Sequence, residues 1–234
     1  MLTLILAEAA LETIPQILWN HTSIRSHSKK KRKSPKQILL DRSLHHSAMR
    51  KLENSKKRGR PDITHIVLLE ALGSPLNKEG LLQIYVHTYN NFVITVNPIT
   101  RLPRNYNQFI GLIEQLYKQG KVPPIGDTLL TLEQKTLKKL LKDIKPDYIL
   151  AFSREGTPKT LEEAIFSLPI KRNIAMIIGA FPYGHFSETT LNEICETVCV
   201  DSEMLEAGVL TSRIIYDYER ALSLPLKRIK KNIN

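Results

Sequence analysis

Two kinds of cluster in this chain could support chemistry. The first is a set of loops that follow short apolar runs. Phe152-Ser153-Arg154-Glu155-Gly156 is one, Gly179-Ala180-Phe181-Pro182-Tyr183-Gly184 a second, and Asp201 to Gly208 a third. Ligands in parallel sheets sit beyond the carboxyl ends of the strands, where such loops fall. The Gly179 loop is not GxGxxG, and no GK[ST] stretch occurs, which argues against a dinucleotide-binding unit and a P-loop. On spacing alone, a tight loop without a ligand is the simpler reading of Gly179 and Gly184. The second cluster is basic. Residues 25–60 hold 14 Lys or Arg against Asp41 and Glu53, a net of +12, while the rest of the chain nets −1. The densest runs are Lys29-Lys30-Lys31-Arg32-Lys33 and Lys56-Lys57-Arg58-Gly59-Arg60. Packed like charges need solvent or a polyanion, so this is either a solvated loop, a localisation address or a phosphate-tracking arm.

Other candidates weigh less. Cys195 and Cys199 could share a helix face, but a zinc site needs four ligands and only His185 lies nearby in sequence. No metal site is expected, and buried free thiols are the simpler reading. His45-His46, His65 and His87 have no acid and nucleophile at a triad-like spacing. Tyr216 and Tyr218 read as packing or subunit contacts.

The elements that must position these residues alternate. Leu2 to Leu6 reads as a buried strand, with a helix from about Glu8 to Leu18. Pro61 suits the first turn of a helix running to Leu72. Leu82 to His87 and Phe92 to Val96 alternate with period two around Asn90-Asn91, which predicts a hairpin. Tyr106 to Lys118 is an amphipathic helix, and Thr131 with Gln134 predicts a capped helix to about Ile144. Tyr148 to Phe152 and Asn173 to Ile178 are apolar strands, with a third at Val198 to Val200. Helices are predicted from Thr157-Pro158, from Ser187 to about Glu196, and from Gly208 to Leu222. The order predicts an α/β fold with a parallel sheet.

The chain has 234 residues, 42% of them hydrophobic, and a formal net charge of +11. That excludes wholesale disorder and suits one domain. No run of about 18 apolar residues occurs, so no membrane span is expected. Glu8 and Glu12 follow the opening apolar stretch and no basic run precedes it, so no secretory signal is expected. Two cysteines cannot build a disulfide framework. The chain reads as a soluble intracellular protein.

Two stretches are more specific. One runs Arg58-Gly59-Arg60-Pro61-Asp62-Ile63-Thr64-His65, then Ser74-Pro75-Leu76-Asn77, Ile84-Tyr85-Val86-His87-Thr88, and Val96 through Thr100-Arg101-Leu102-Pro103-Arg104. The other is Ile178 to Gly184. In this order they resemble the N1-specific pseudouridine methyltransferases of small-subunit ribosomal RNA, which belong to the SPOUT class. The resemblance covers Leu2 to Leu222, apart from the Lys29–Arg32 run. It implies one SPOUT domain over residues 1–234, with a parallel sheet and a deep C-terminal trefoil knot. It implies a homodimer with the last helix near the interface. An inserted hairpin and helix, about 60–104, helps bind RNA, and residues 25–58 are expected to be a mobile basic segment. The implied cofactor is S-adenosyl-L-methionine, held by Phe152, by Gly179 and Gly184, and by Val200, Asp201, Ser202, Glu203, Met204, Leu205 and Ala207. The implied RNA-facing residues are Arg60, Arg101, Arg104 and, where the family carries a further arginine, Gln108. Arg60 and Asp62 are the implied catalytic pair: an arginine can stabilise charge developing on pseudouridine N1, and a carboxylate two residues on can orient it. Asp62 also suits the first turn of a helix. Implied partners are the ribosomal RNA and small-subunit ribosomal proteins, in the cytoplasm or, in a eukaryote, the nucleolus. The alternative is an RNA-binding ribosome-assembly factor that does not methylate.

Overall fold

A computed structural model describes residues 1–169 and 172–231. The chain opens with β1 (Leu2–Ala9), all eight of its residues buried. The helix expected from Glu8 does not form. The strand runs on to Ala9, and Pro15 has no N–H to give a helix. Leu40 N–H instead donates to Glu12 O and Ile14 N–H to Ile38 O, a short antiparallel contact, and Gln16–Leu18 is a single 3-10 turn.

The basic segment also differs from its sequence reading. Residues 25–58, expected to be mobile, hold most of α1 (Thr22–Lys31) and all of α2 (Arg42–Met49). These close over a cluster of their own: Ile14, Leu18, Ile24, Ile38, Leu40, Ala48, Met49 and Leu52. His45 stands inside, its Nδ1 accepting from Asp41 N–H and its Nε2 facing His27 Nδ1 at 2.8 Å. Two of the run's lysines are not free. Lys31 and Lys33 hold the buried Glu114 carboxylate at 2.8 and 2.6 Å, and Leu39 N–H donates to it at 3.3 Å. Glu114 stands on the amphipathic helix of residues 106–119, so one buried acid ties the basic segment to the main body.

The rest builds one mixed sheet. α3 (Pro61–Gly73) and the short α4 (Pro75–Lys78) lead into β2 (Leu82–Thr88) and β3 (Phe92–Val96), the expected hairpin. Then come α5 (Tyr106–Gln119), β4 (Lys121–Val122), β5 (Leu130–Gln134), α6 (Leu137–Ile144), β6 (Tyr148–Pro158), α7 (Leu161–Phe166), β7 (Ile174–Gly179), α8 (Glu188–Leu191), β8 (Glu196–Cys199), α9 (Ala207–Ala221) and α10 (Leu224–Lys231). The strand order is β4-β5-β3-β2-β1-β7-β6-β8. The sheet is therefore not wholly parallel. β2, β1, β7, β6 and β8 run parallel, while β3, β5 and β4 join antiparallel. Thr131–Gln134, predicted as a helix start, lies in β5 and pairs with β3; the helix cap is Thr136, which accepts from Lys139 N–H. On one face Leu4 and Leu6 meet α3, α5 and α9; on the other Ile5 and Ala7 meet α6.

Burial, with His27 beside it, pushes His45 from its ordinary 6.5 down to about 4. Between those values the unfolded chain binds a proton that the folded chain does not. Stability should be full above pH 6.5 and fall as pH drops towards 4. Denaturant midpoints measured across that range should show this slope, and His45→Asn should flatten it.

Candidate functional site

Arg60 is the residue before α3, with Pro61 at the first helical position and Asp62 in the first turn. Asp62 receives Arg60 in a two-bonded fork: Nε to Oδ1 at 2.8 Å and Nη2 to Oδ2 at 2.7 Å. Both side chains remain partly open, 41% and 35% exposed, so the fork is reachable from solvent. The second motif comes to the same helix. His65, one turn on from Pro61, donates from Nε2 to Pro103 O at 2.7 Å and stacks on Phe109 at 4.2 Å. Tyr106, at the start of α5, donates to Asp41 Oδ2 at 2.6 Å. Arg101, Arg104 and Gln108 are exposed around this anchor, and neither arginine forms an ion pair among the described residues. Gln108 N–H donates to the Asn105 cap.

The three strand-end loops lie at the carboxyl edge of neighbouring strands β7, β6 and β8. The first is not where β6 ends. Phe152 and Thr157 both pair with Val198, so residues 153–156 are a bulge within the strand. Gly156 lies so flat on β8 that a Cβ there would stand 2.5 Å from the Val198 backbone. The sequence reading placed a helix start at Thr157-Pro158; α7 begins later, capped by Thr160 and Glu163. Gly179 ends β7 opposite Ala7. Gly184 has φ +96°, with open space where a Cβ would stand. Beyond β8, Val200, Asp201, Leu205 and Ala207 are half-buried, while Ser202, Glu203 and Met204 are exposed. Asp201 turns this loop by accepting from Glu203 N–H at 2.9 Å. Glu206, ahead of α9, makes no side-chain cap, so the free N–H groups of that helix start beside the loop.

One short relay of backbone bonds joins the two halves. Arg60 N–H donates to Ala10 O at 3.0 Å, and Ala10 N–H donates to Ala180 O at 2.8 Å. Two residues that the sequence reading missed hold the far end of the glycine loop. Glu8, buried at φ +51°, accepts from Ser187 N–H and Oγ and pairs with Lys57. Lys57 also donates to His185 O and lies 4.1 Å over the Phe181 ring. Burial pushes the Glu8 carboxyl up, but Lys57 and the Ser187 and Thr190 donors outweigh this and hold it below its ordinary value. An acid in an apolar strand followed by a distant lysine leaves no local signal. Cys195 is exposed and Cys199 half-buried, against the expectation of buried thiols. Tyr218 is buried, while Tyr216 is exposed.

A model of the EMG1/NEP1 methyltransferase family matches residues 4–219. The chain belongs to that family. It is 42% identical over 224 residues to the ribosomal RNA small subunit methyltransferase Nep1 of Staphylothermus marinus, covering 95% of this chain and 97% of the relative. The Nep1 of Thermococcus kodakarensis is also 42% identical, with 96% and 100% covered. Among solved structures, Archaeoglobus fulgidus Nep1 bound to S-adenosylhomocysteine superposes with a TM-score of 0.84 at 38% identity, over 94% of this chain and 98% of that one. No helix is long and apolar enough to cross a membrane among the described residues.

Tyr106→Phe removes one bond to Asp41 while Asp41 keeps its bonds to Ser43. The loss should be about 1–2 kcal/mol of stability, measured by urea unfolding.

Proposed function

We propose that this chain transfers a methyl group from S-adenosyl-L-methionine to N1 of a pseudouridine in small-subunit ribosomal RNA, as part of small-subunit biogenesis. The observation that carries this reading is the Arg60–Asp62 fork, two backbone hydrogen bonds from the Gly179–Ala180 loop. The cofactor supplies an electrophilic methyl carbon on a sulfonium. The residues present fit it. Gly184 leaves open space beside its backbone, free N–H groups stand at the start of α9, and Phe152, Val200 and Leu205 offer apolar surface. Gly179, Asp201, Ser202, Glu203, Met204 and Ala207 complete the three loops proposed to hold it.

N1 of pseudouridine is imide-like and must lose its proton as it attacks. Negative charge builds on the base as that proton passes to water, and is consumed once N1 carries the methyl group and the neutral thioether product leaves. Arg60 is proposed to stabilise that charge, and Asp62 to hold the guanidinium in the one direction where it does so. Arg101 and Arg104, open and unpaired, are proposed to hold the target loop through its phosphates, with Gln108 as a neutral neighbour. Lys29, Lys30 and Arg32 are exposed and have no ion-pair partner among the described residues, and can add non-specific affinity; Lys31 and Lys33 are engaged by Glu114. We also read residues 148–222 as a trefoil knot. Its support is the SPOUT resemblance and the order β1-β7-β6-β8, with the later β7 lying inside β6. A homodimer is supported by exposed apolar side chains on α3 and α9, namely Ile66, Val209 and Tyr216. Ribosomal proteins of the small subunit are proposed as further partners. The work would be done where subunits are assembled: the cytoplasm, or the nucleolus in a eukaryote.

The deciding experiment is incubation with labelled S-adenosyl-L-methionine and a stem-loop with and without pseudouridine. Label should enter only the pseudouridine loop, and label in neither would sink the reading. Arg60→Ala and Asp62→Asn should each lower single-turnover methylation, and the double variant should be little worse than either, since they act as one unit. Additive losses would show that Asp62 acts independently. Gly184→Val forces a branched residue to positive φ, at roughly 1–2 kcal/mol. It should weaken cofactor binding by about tenfold in calorimetry if that strain falls on the bound loop. Affinity for the bare pseudouridine stem-loop should be unchanged.

A further inference from the structure

A cleft of about 920 Å³ opens at the carboxyl edge of the sheet, and of the proposed cofactor residues only Gly184 lines it. It lies on the α6 side. Thr136 to Lys138 at the start of α6 form one wall, the turn after β2 another, and Tyr183 through Glu193 a third. Lys56 and Lys57 close it from the basic segment.

We propose that this cleft takes a single-stranded stretch of the substrate RNA next to the target loop. The inference rests on the RNA-methyltransferase reading above and adds a second subsite to it. The first argument is continuity. The segment 56–60 crosses the sheet edge: Lys56 and Lys57 line the cleft, Arg58 is anchored on Glu12, and Arg60 emerges at α3 on the other side. Four peptide bonds separate Lys56 from Arg60, so their Cα atoms are at most about 14 Å apart. The mouth of the cleft is therefore within a few nucleotides' reach of an RNA strand held at Arg60.

The second argument is chemistry. Lys56 is exposed and has no ion-pair partner among the described residues. Lys138 is largely open, 62% exposed, although Glu193 stands 2.9 Å away. Lys57, already paired with Glu8, and His185, 3.3 Å from Glu155, add donor groups on the same side. Tyr183 offers a ring that is 62% exposed; Tyr89 adds a half-buried ring with Arg58 4.6 Å over it, its hydroxyl accepting from Asn54. Cations interleaved with aromatic rings and amides suit unpaired nucleotides, whose bases stack and whose phosphates need neutralising. Glu8 and Glu193 are neutralised in place by Lys57 and Lys138, so the uncompensated lysine charge of the lining is that of Lys56.

The test uses two RNAs: the pseudouridine stem-loop alone, and the same stem-loop with single-stranded flanks. Lys56→Glu and the double variant Lys56→Glu/Lys138→Ala are compared with the wild-type chain by fluorescence anisotropy at several salt concentrations. The flanked RNA should bind the double variant at least about fivefold more weakly, with a salt slope lower by about 0.7 for each phosphate released. The bare stem-loop should bind and be methylated as by the wild type. Thermal unfolding of Lys56→Glu, which alters one exposed side chain, controls for folding. Equal losses on both RNAs would overturn the subsite, showing only general attraction. Unchanged binding of the flanked RNA would also overturn it and leave the cleft to a protein partner. If the wild type binds and discriminates as described but transfers no methyl to either RNA, the methyltransferase reading fails and the subsite stands.

Discussion

Two carboxylates buried at the end of the first strand organise this protein. Glu8 and Glu12 are 6% and 2% exposed. A buried carboxylate without a partner costs several kcal/mol, so each must hold a cation. Glu12 takes Arg58 through two bonds of 2.6 Å, and Glu8 takes Lys57. These pairs pull the end of the basic segment onto the carboxyl edge of β1. Arg60 then follows at Ala10, and α3 starts there. Glu8 also grips Ser187, so the same edge fixes the end of the glycine loop. The proposed base-facing arginine and the proposed cofactor loop thus share one electrostatic anchor.

The sheet divides its labour around that anchor. Its parallel half, β2-β1-β7-β6-β8, ends in the loops proposed to hold the cofactor. Its antiparallel half holds the connection that presents Arg101 and Arg104. Asn97 and Thr100 bond to residues 128 and 129, and Asn77 reaches Pro98 O at 2.9 Å, so this connection is tied at its start. His65 then closes it onto α3. Exposed arginines on a fixed loop lose less freedom when they grip an anion than they would on a mobile one.

The basic segment shows how charge density can mislead. Its composition reads as a mobile arm, because like charges repel and few apolar residues stand between them. Yet Ile38, Leu40, Met49 and Leu52 converge on Ile14, Leu18 and Ile24 from outside the segment. Burial of that cluster, with Glu114 neutralising Lys31 and Lys33, offsets the repulsion. Among the described residues, three of the five charges in the 29–33 run have no ion-pair partner.

Features set by neighbours in sequence could be read directly. Pro61 and Asp62 start α3, Asn90-Asn91 turn the hairpin, and the apolar runs at Leu2, Tyr148 and Asn173 lie in strands. The motif residues, too, are legible because their spacing is local: Arg60 with Asp62, and Arg101 with Arg104. Tertiary structure decided the rest. Thr131–Gln134 carries a helix cap pattern but pairs with β3, because a strand partner outweighs a weak local preference. The 153–156 bulge exists only because Val198 receives both Phe152 and Thr157. The mixed sheet, the Glu8–Lys57 and Glu12–Arg58 pairs, and the bonds linking Arg60 to Ala180 all join residues far apart in the chain. No periodicity encodes such contacts: a buried charge specifies that it needs a partner, and only the packed chain selects which one.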